Sequence, residues 1–230
     1  MQQQANFYGL DIETDTRTDP VDPTVAAITT VAISGRSLER EFRGDEVTIL
    51  GELDEFLAAL APGVLATWNG STFDLPFIAD RARLLGVSLG LELCLDRRVR
   101  APRAFLPGHA GGYRGAWFDH AHVDTFRLYG DASPASPWNS LRVIGRALGL
   151  SQSNGRPVRA RDLTNEALHA HAPSDARLAR VLAERRAHAA LRAVDRFAHE
   201  EARPVAVAAE RLERVARRNA VVLKPAVAGV

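Results

Sequence analysis

Cysteine is almost missing from this chain: Cys94 stands alone. A single thiol can neither close an internal disulfide nor supply a cysteine-based zinc site. Lysine is as scarce. Of 29 basic side chains only Lys224 is a lysine, so arginine carries the positive charge. The planar fork of arginine suits bidentate phosphate contacts, although an Ala- and Arg-rich, Lys-poor composition is also what GC-rich coding sequence yields. No apolar run approaches the roughly 18 residues that span a membrane. Met1-Gln2-Gln3-Gln4 lacks the basic and apolar regions of a signal peptide. The expectation is a cytoplasmic protein with no membrane partner. A formal net charge of +1 is not the strongly basic balance of a dedicated high-affinity DNA-binding protein. No P-loop, GxGxxG or Ser-His-Asp signature is present.

What is there suits one α/β domain with a helical tail: 230 residues, 46% hydrophobic and 25% charged. Phe7-Tyr8-Gly9-Leu10-Asp11-Ile12-Glu13 is apolar and then alternates, which predicts a strand. A second strand over 26–33, a turn at Ser34-Gly35-Arg36-Ser37 and a third strand over 38–42 complete a three-strand meander. Helical spacing runs over 50–60 and stops at Ala61-Pro62-Gly63. Then come a short strand over 64–68, a helix over 75–85 ended by Gly86, and an irregular stretch over 92–118. A strand over 121–126, a helix over 141–148 ended by Gly149, and a long Ala-rich helix over 176–201 follow. The long helix is expected to break near Pro204, before a basic helix over 208–219. This order predicts an α/β fold, a mixed sheet flanked by helices. The domain is expected to span 1–203, with a basic helical tail, 204–230, packed on it.

Asp11 and Glu13 are two apart on a strand, so both side chains point to one face. Like charges that close raise each other's pKa. A divalent cation between them removes that cost, and Mg²⁺ takes carboxylate ligands. An isolated pair of this kind is more often a solvated strand end. A second cluster changes the balance. Trp68-Asn69-Gly70-Ser71-Thr72-Phe73-Asp74-Leu75-Pro76 follows a short strand and opens a helix. Asn69-Gly70 makes a tight turn, Asp74 falls where the helix dipole favours an anion, and Pro76 is tolerated in the first turn.

Leu10-Asp11-Ile12-Glu13-Thr14, followed by the Trp68-to-Pro76 segment, resembles the first two motifs of the DEDD exonuclease superfamily. The branch it most resembles is the proofreading domain of family-B DNA polymerases and their stand-alone relatives. His122-Val123-Asp124-Thr125-Phe126 is similar to the family's His-x-Asp-Leu strand. Ser140-Leu141-Arg142-Val143-Ile144-Gly145-Arg146-Ala147-Leu148-Gly149-Leu150 is similar to its Ser-Leu-Lys-x-Leu-Ala-x-x-Leu-Gly-Leu helix. The matches come in family order from about residue 7 to 150. The resemblance implies an RNase H-like fold and a metal-dependent 3′–5′ exonuclease, a hydrolase releasing 5′-nucleotides from single-stranded DNA or RNA 3′ ends. It implies two Mg²⁺ or Mn²⁺ ions on Asp11, Glu13 and Asp74. It implies substrate contacts at Thr14, Asn69 and Phe73, and a mainly structural Asp124.

The family also has a fourth acid on a late helix, in Tyr-x-x-x-Asp or His-x-x-x-x-Asp form. Spacing and hydrophobic pattern align 186–194 with that helix, which puts Arg186 at the tyrosine and Ala190 at the acid. The acid would then be lost. Two alternatives stay open: Asp175, in His171-Ala172-Pro173-Ser174-Asp175, and Asp195, seven residues beyond His188. A lost acid motivates a rival function, a degenerate exonuclease fold that binds nucleic acid or a protein without cutting. A helical-tail protein that dimerises through 176–219 is a third reading. Arg97, Arg98, Arg100, Arg103, Phe105, Tyr113, Arg114 and Trp117 mix guanidinium groups with aromatics, as strand-binding surfaces do, and as solvated loops also do. His109, His120 and His122 follow no metal-ligand spacing. Arg211, Arg214, Arg217 and Arg218 read as a basic helix face.

Overall fold

Strand β1 (Asn6–Thr14) organises the molecule. In the computed structural model, which describes residues 5–96, 99, 106–129, 140–150 and 172–198 (side chains to residue 194), it is an interior strand, third in a seven-stranded sheet. The order is β3 (Glu39–Arg43), β2 (Ile28–Ser34), β1, β4 (Gly63–Thr67), β7 (His120–Asp124), β6 (Gly112–Trp117) and β5 (Leu91–Asp96). β1, β4 and β7 run parallel; the other neighbours are antiparallel. The described helices are α1 (Glu46–Ala59), α2 (Asp74–Leu85), α3 (Thr125–Tyr129), α4 (Leu141–Ala147), α5 (Ala172–Arg185) and α6 (Ala187–Ala198).

Alternation along β1 divides the protein into two layers. Tyr8, Leu10 and Ile12 enter the larger core, with Ile49, Leu50, Leu53 and Leu57 of α1 and Phe77 and Ile78 of α2. Phe7, Gly9, Asp11 and Glu13 face the other way, toward α5, which crosses β1, β2 and β4. That second layer is built from small residues. Ala32 meets Ala172 and Ala176, and Ala66 meets Ala183 and Ala190. Gly9 is the tightest point. A Cβ built there would lie 1.8 Å from the Ala176 carbonyl oxygen, so only glycine lets the helix backbone come this close.

The structure confirms the meander, the helix ended by left-handed Gly86 (φ 70°), and Gly149 (φ 67°) after α4. Two expectations are corrected. The stretch over 92–118 is not irregular throughout: β5 and β6 pair over six residues, from Leu91↔Trp117 to Asp96↔Gly112. As the last strand of the sheet, β5 is half exposed, with Leu95 exposed and Asp96 buried at its end. The Ala-rich helix is not continuous. It breaks at Arg186, whose guanidinium donates to the Leu128 carbonyl and lies 4.4 Å from the Tyr129 ring centroid. The break turns α6 so that Ala187, Ala190, Leu191 and Val194 pack on Phe7, Val64, Ala66 and Val123. The basic tail over 204–230 and the arginines at 97, 98, 100 and 103 lie outside the described residues.

Candidate active site

The carboxylates meet at the C-terminal end of β1. β4 pairs with β1 only as far as Gly9↔Ala66, so β1 runs on past its parallel neighbour. Asp11 and Glu13 stand on this overhang, half-buried, on the α5 face. The chain leaving β4 makes the Asn69 turn, in which Asn69 takes a left-handed φ of 67°, as asparagine tolerates. Asp124 holds the turn from β7, its carboxylate accepting from the N–H of Asn69 (2.8 Å), Ser71 (3.2 Å) and Phe126 (3.0 Å). Thr72 Oγ1 donates to Asn69 Oδ1 at 2.8 Å. Thus fixed, α2 starts with Asp74, a buried side chain that accepts from its own backbone N–H and from that of Ile12. The last bond ties α2 to β1 between the two acids of the strand.

A fourth carboxylate reaches the same cleft. Asp175 is in the first turn of α5, beside Ala176, the residue that rests on Gly9. Its negative charge acts on both Asp11 and Glu13. Ala190, the position to which spacing and hydrophobic pattern assign the acid, is fully buried in the Phe7–Val64–Ala66 cluster. The helix register inferred from hydrophobic pattern is therefore corrected: α5, not α6, faces the acids. Asp195 lies in α6, and its side chain is outside those described, as is His171.

The electrostatics are those of crowded, partly desolvated acids. Burial pushes Asp11 well above the usual carboxylate range, and the charges of Asp175, Asp74 and Glu13 push the same way. Glu13 rises to about 8, chiefly by burial and then by Asp175. Asp74 rises to about 7, again by burial first, with Asp124 adding to it and backbone donors opposing. Among the described residues, Arg142 counters this field. Arg142 lowers both Asp11 and Glu13, and its Nη2 lies 3.3 Å from Asp175 Oδ2. Sequence reasoning placed Arg142 in the Ser140-to-Leu150 motif without assigning it to the site; its lysine-like position in that motif was the available signal. As the side chains stand, no three His, Cys, Asp or Glu groups among the described residues converge closely enough to hold one ion.

Of the expected substrate contacts, Asn69 and Phe73 flank Asp74. Phe73 is half-buried, its ring 5.4 Å from that of Phe77. Thr14 is buried, and its hydroxyl is engaged, donating to the Pro20 carbonyl at 2.8 Å. The three histidines are built into the frame. His109 bridges Tyr113 and Asp80, His120 bonds the Leu57 carbonyl, and His122 bonds Thr67. Burial, with Arg127 nearby, pushes His122 down to about 3. A cavity of about 410 Å³ lies behind the Asp124 shelf, lined by Asp96, Arg114, His122, Arg127 and Arg192 among others. Asp11, Glu13, Asp74 and Asp175 are not among its lining residues; Asp74 is buried, and Asp11 and Glu13 are half-buried.

Residues 11–106 match the family model for the exonuclease domain of DNA polymerase family B. The catalytic subunit of DNA polymerase epsilon from Saccharomyces cerevisiae is 31% identical over 83 residues, 36% of this chain and 3% of that protein. DNA polymerase 2 of Aeropyrum pernix is 36% identical over 72 residues, 31% of this chain and 8% of that protein. The chain thus spans under a tenth of the length of these relatives. The family B DNA polymerase of the archaeon Pyrobaculum calidifontis superimposes with a TM-score of 0.59, at 19% identity over 80% of this chain and 24% of that one. The fold is the RNase H-like α/β fold, a mixed sheet flanked by helices, and the likeness is to a nuclease domain.

Proposed function

We propose that this chain is a divalent-cation-dependent 3′–5′ exonuclease that removes 5′-nucleotides from single-stranded DNA or RNA ends. Asp11, Glu13, Asp74 and Asp175 are the cation ligands in this reading. The observation that carries it is the approach of carboxylates from β1, α2 and α5 to one another, where burial first, and then the charges of Asp175 and Asp74, raise the pKa of Asp11 and Glu13. Such crowding is costly unless a cation shares it. The donors are all oxygen, which suits Mg²⁺ or Mn²⁺ over softer metals. Two ions bound there would supply an activated water and stabilise the leaving 3′ oxygen.

The chain's own residues prepare the rest. The Ile12 N–H orients Asp74, and Asp124 holds the turn without entering the cleft. Asn69 and Phe73 precede Asp74 in the same segment and are the substrate-contact residues of this reading, Asn69 for the strand backbone and Phe73 for the terminal nucleotide. Thr14 is the remaining substrate-contact residue of this reading, through its backbone. No described helix is long and apolar enough to cross a membrane; a cytoplasmic setting belongs to the same proposal.

The test is release of nucleotides from a 3′-labelled single strand, deoxy or ribo, in Mg²⁺ or Mn²⁺ against chelator. Asp175→Asn is expected to lose at least about 10²-fold, since members of one catalytic unit fail together. Folded wild-type protein that binds the strand and releases nothing with either ion would support the non-cutting reading instead.

A further inference from the structure

In the cleft, Asp175 already has a partner. Its Oδ2 lies 3.3 Å from Arg142 Nη2, and both side chains are largely shielded, with 17% and 32% of their surface exposed. The pairing is anchored from below. α4, which carries Arg142, packs on α5 through Leu141, Ile144, Leu178 and Leu182. Gly145 makes that contact close, because a Cβ there would lie 2.6 Å from Leu178 Cδ2. The helix bearing the guanidinium is thus held against the helix bearing the carboxylate. Arg142 also acts on the two acids of β1, drawing both pKa values down. One guanidinium therefore serves Asp11, Glu13 and Asp175 together. Meanwhile no three acids among the described residues converge tightly enough to hold an ion.

We propose that Arg142 is a resident counter-cation of the cleft, which pairs with Asp175 in the metal-free protein and must yield that carboxylate when a divalent ion binds. This rests on the metal-dependent reading above and adds regulation to it: Arg142 sets the ion concentration at which the cleft fills. The bond suits that role. At 3.3 Å it is longer than the roughly 2.7–2.9 Å of a strong charge-assisted pair, so it can be exchanged. A divalent ion brings twice the charge of the guanidinium and can be shared among several carboxylates. Displaced from Asp175, Arg142 stays tethered to α4 beside the cleft.

Calorimetric titration with Mn²⁺, in the absence of nucleic acid, reads this directly. Arg142→Gln removes the competitor and is expected to lower the Mn²⁺ Kd about five-fold, about 1 kcal/mol. It should also lower the Tm of the metal-free protein and enlarge the rise on adding Mn²⁺. Arg142→Lys keeps the charge and the fold, and is expected to stay within about two-fold of wild type. Wild-type uptake of Mn²⁺ with an unchanged or weaker Kd in Arg142→Gln would overturn the competition and leave the exonuclease reading intact. If Arg142→Gln does not fold, wild-type protein labelled with ¹⁵N-arginine decides: Mg²⁺ should shift the Arg142 side-chain resonance, and an unmoved resonance at saturating Mg²⁺ overturns the proposal. Absence of any ion uptake by wild type would sink both readings.

Discussion

Replacing Gly9 by alanine tests how the acid site is assembled, because the methyl group would strike backbone rather than a side chain. The added Cβ would lie 1.8 Å from the Ala176 carbonyl oxygen and 2.7 Å from its carbon, where real Cβ atoms stay beyond 3.0 Å. α5 must therefore withdraw from β1 by about 1 Å. No rotamer change can absorb the clash, since both colliding groups are fixed to backbone. Overpacking of this kind costs roughly 1–3 kcal/mol. The functional loss should be larger in proportion. Asp175 is the neighbour of Ala176 and moves with it, and a misplacement of about 1 Å can cost about 10²-fold in rate. Gly51→Ala is the control. It lies within α1 with nothing within 4 Å of the new methyl, and should stabilise by about 0.5–1 kcal/mol through helix propensity alone. Urea unfolding gives both stabilities, and Mn²⁺ titration with nucleotide release gives the state of the site. A Gly9→Ala protein with wild-type midpoint and wild-type Mn²⁺ affinity would refute the claim that this contact places Asp175.

Two further outcomes follow from the same geometry. Glu13 at about 8 and Asp74 at about 7 sit above their ordinary values, so the metal-free folded state holds protons that the unfolded chain gives up near pH 4. Stability without metal should fall as pH rises from about 5 to 8, and saturating Mn²⁺ should flatten that slope; Tm scans in chelator and in Mn²⁺ would show it, and a chelated profile that climbs over this range contradicts the crowded-acid account. Ala190→Asp, the substitution that would restore an acid at the position favoured by spacing and hydrophobic pattern, instead buries a charge among Phe7, Val64 and Ala66; it should destabilise by roughly 3–5 kcal/mol and add no nuclease activity, and a gain in nucleotide release would reverse the assignment of the late helix.

Much of this protein was legible in the order of its residues. The alternation around Asp11 and Glu13 predicts that both acids share a face, because the two-residue period of a strand is local. The Asn69-to-Pro76 segment predicts a turn feeding a helix with Asp74 in its first turn, since left-handed asparagine, an N-terminal anion and an early proline are short-range preferences. β5 and β6 were missed because β5 lies at a half-exposed sheet edge and the stretch around them intersperses arginine, glycine and aromatics. The break at Arg186 was missed because alanine favours helix on both sides of it, and what bends the chain is a bond to Leu128 and a ring contact with Tyr129, distant in sequence.

The sequence alone determined three acids, their order and the strand and helix that bear them. Which further acid stands beside them was decided only by tertiary packing. Hydrophobic periodicity says that a helix has an inward face; it does not say which helix lies over which strand. That choice was made by a glycine on β1 and alanines on α5, whose missing bulk lets one helix settle on the sheet directly beside Asp11. The same docking sets Arg142 against Asp175, a pairing of residues 33 apart in sequence that no local pattern contains.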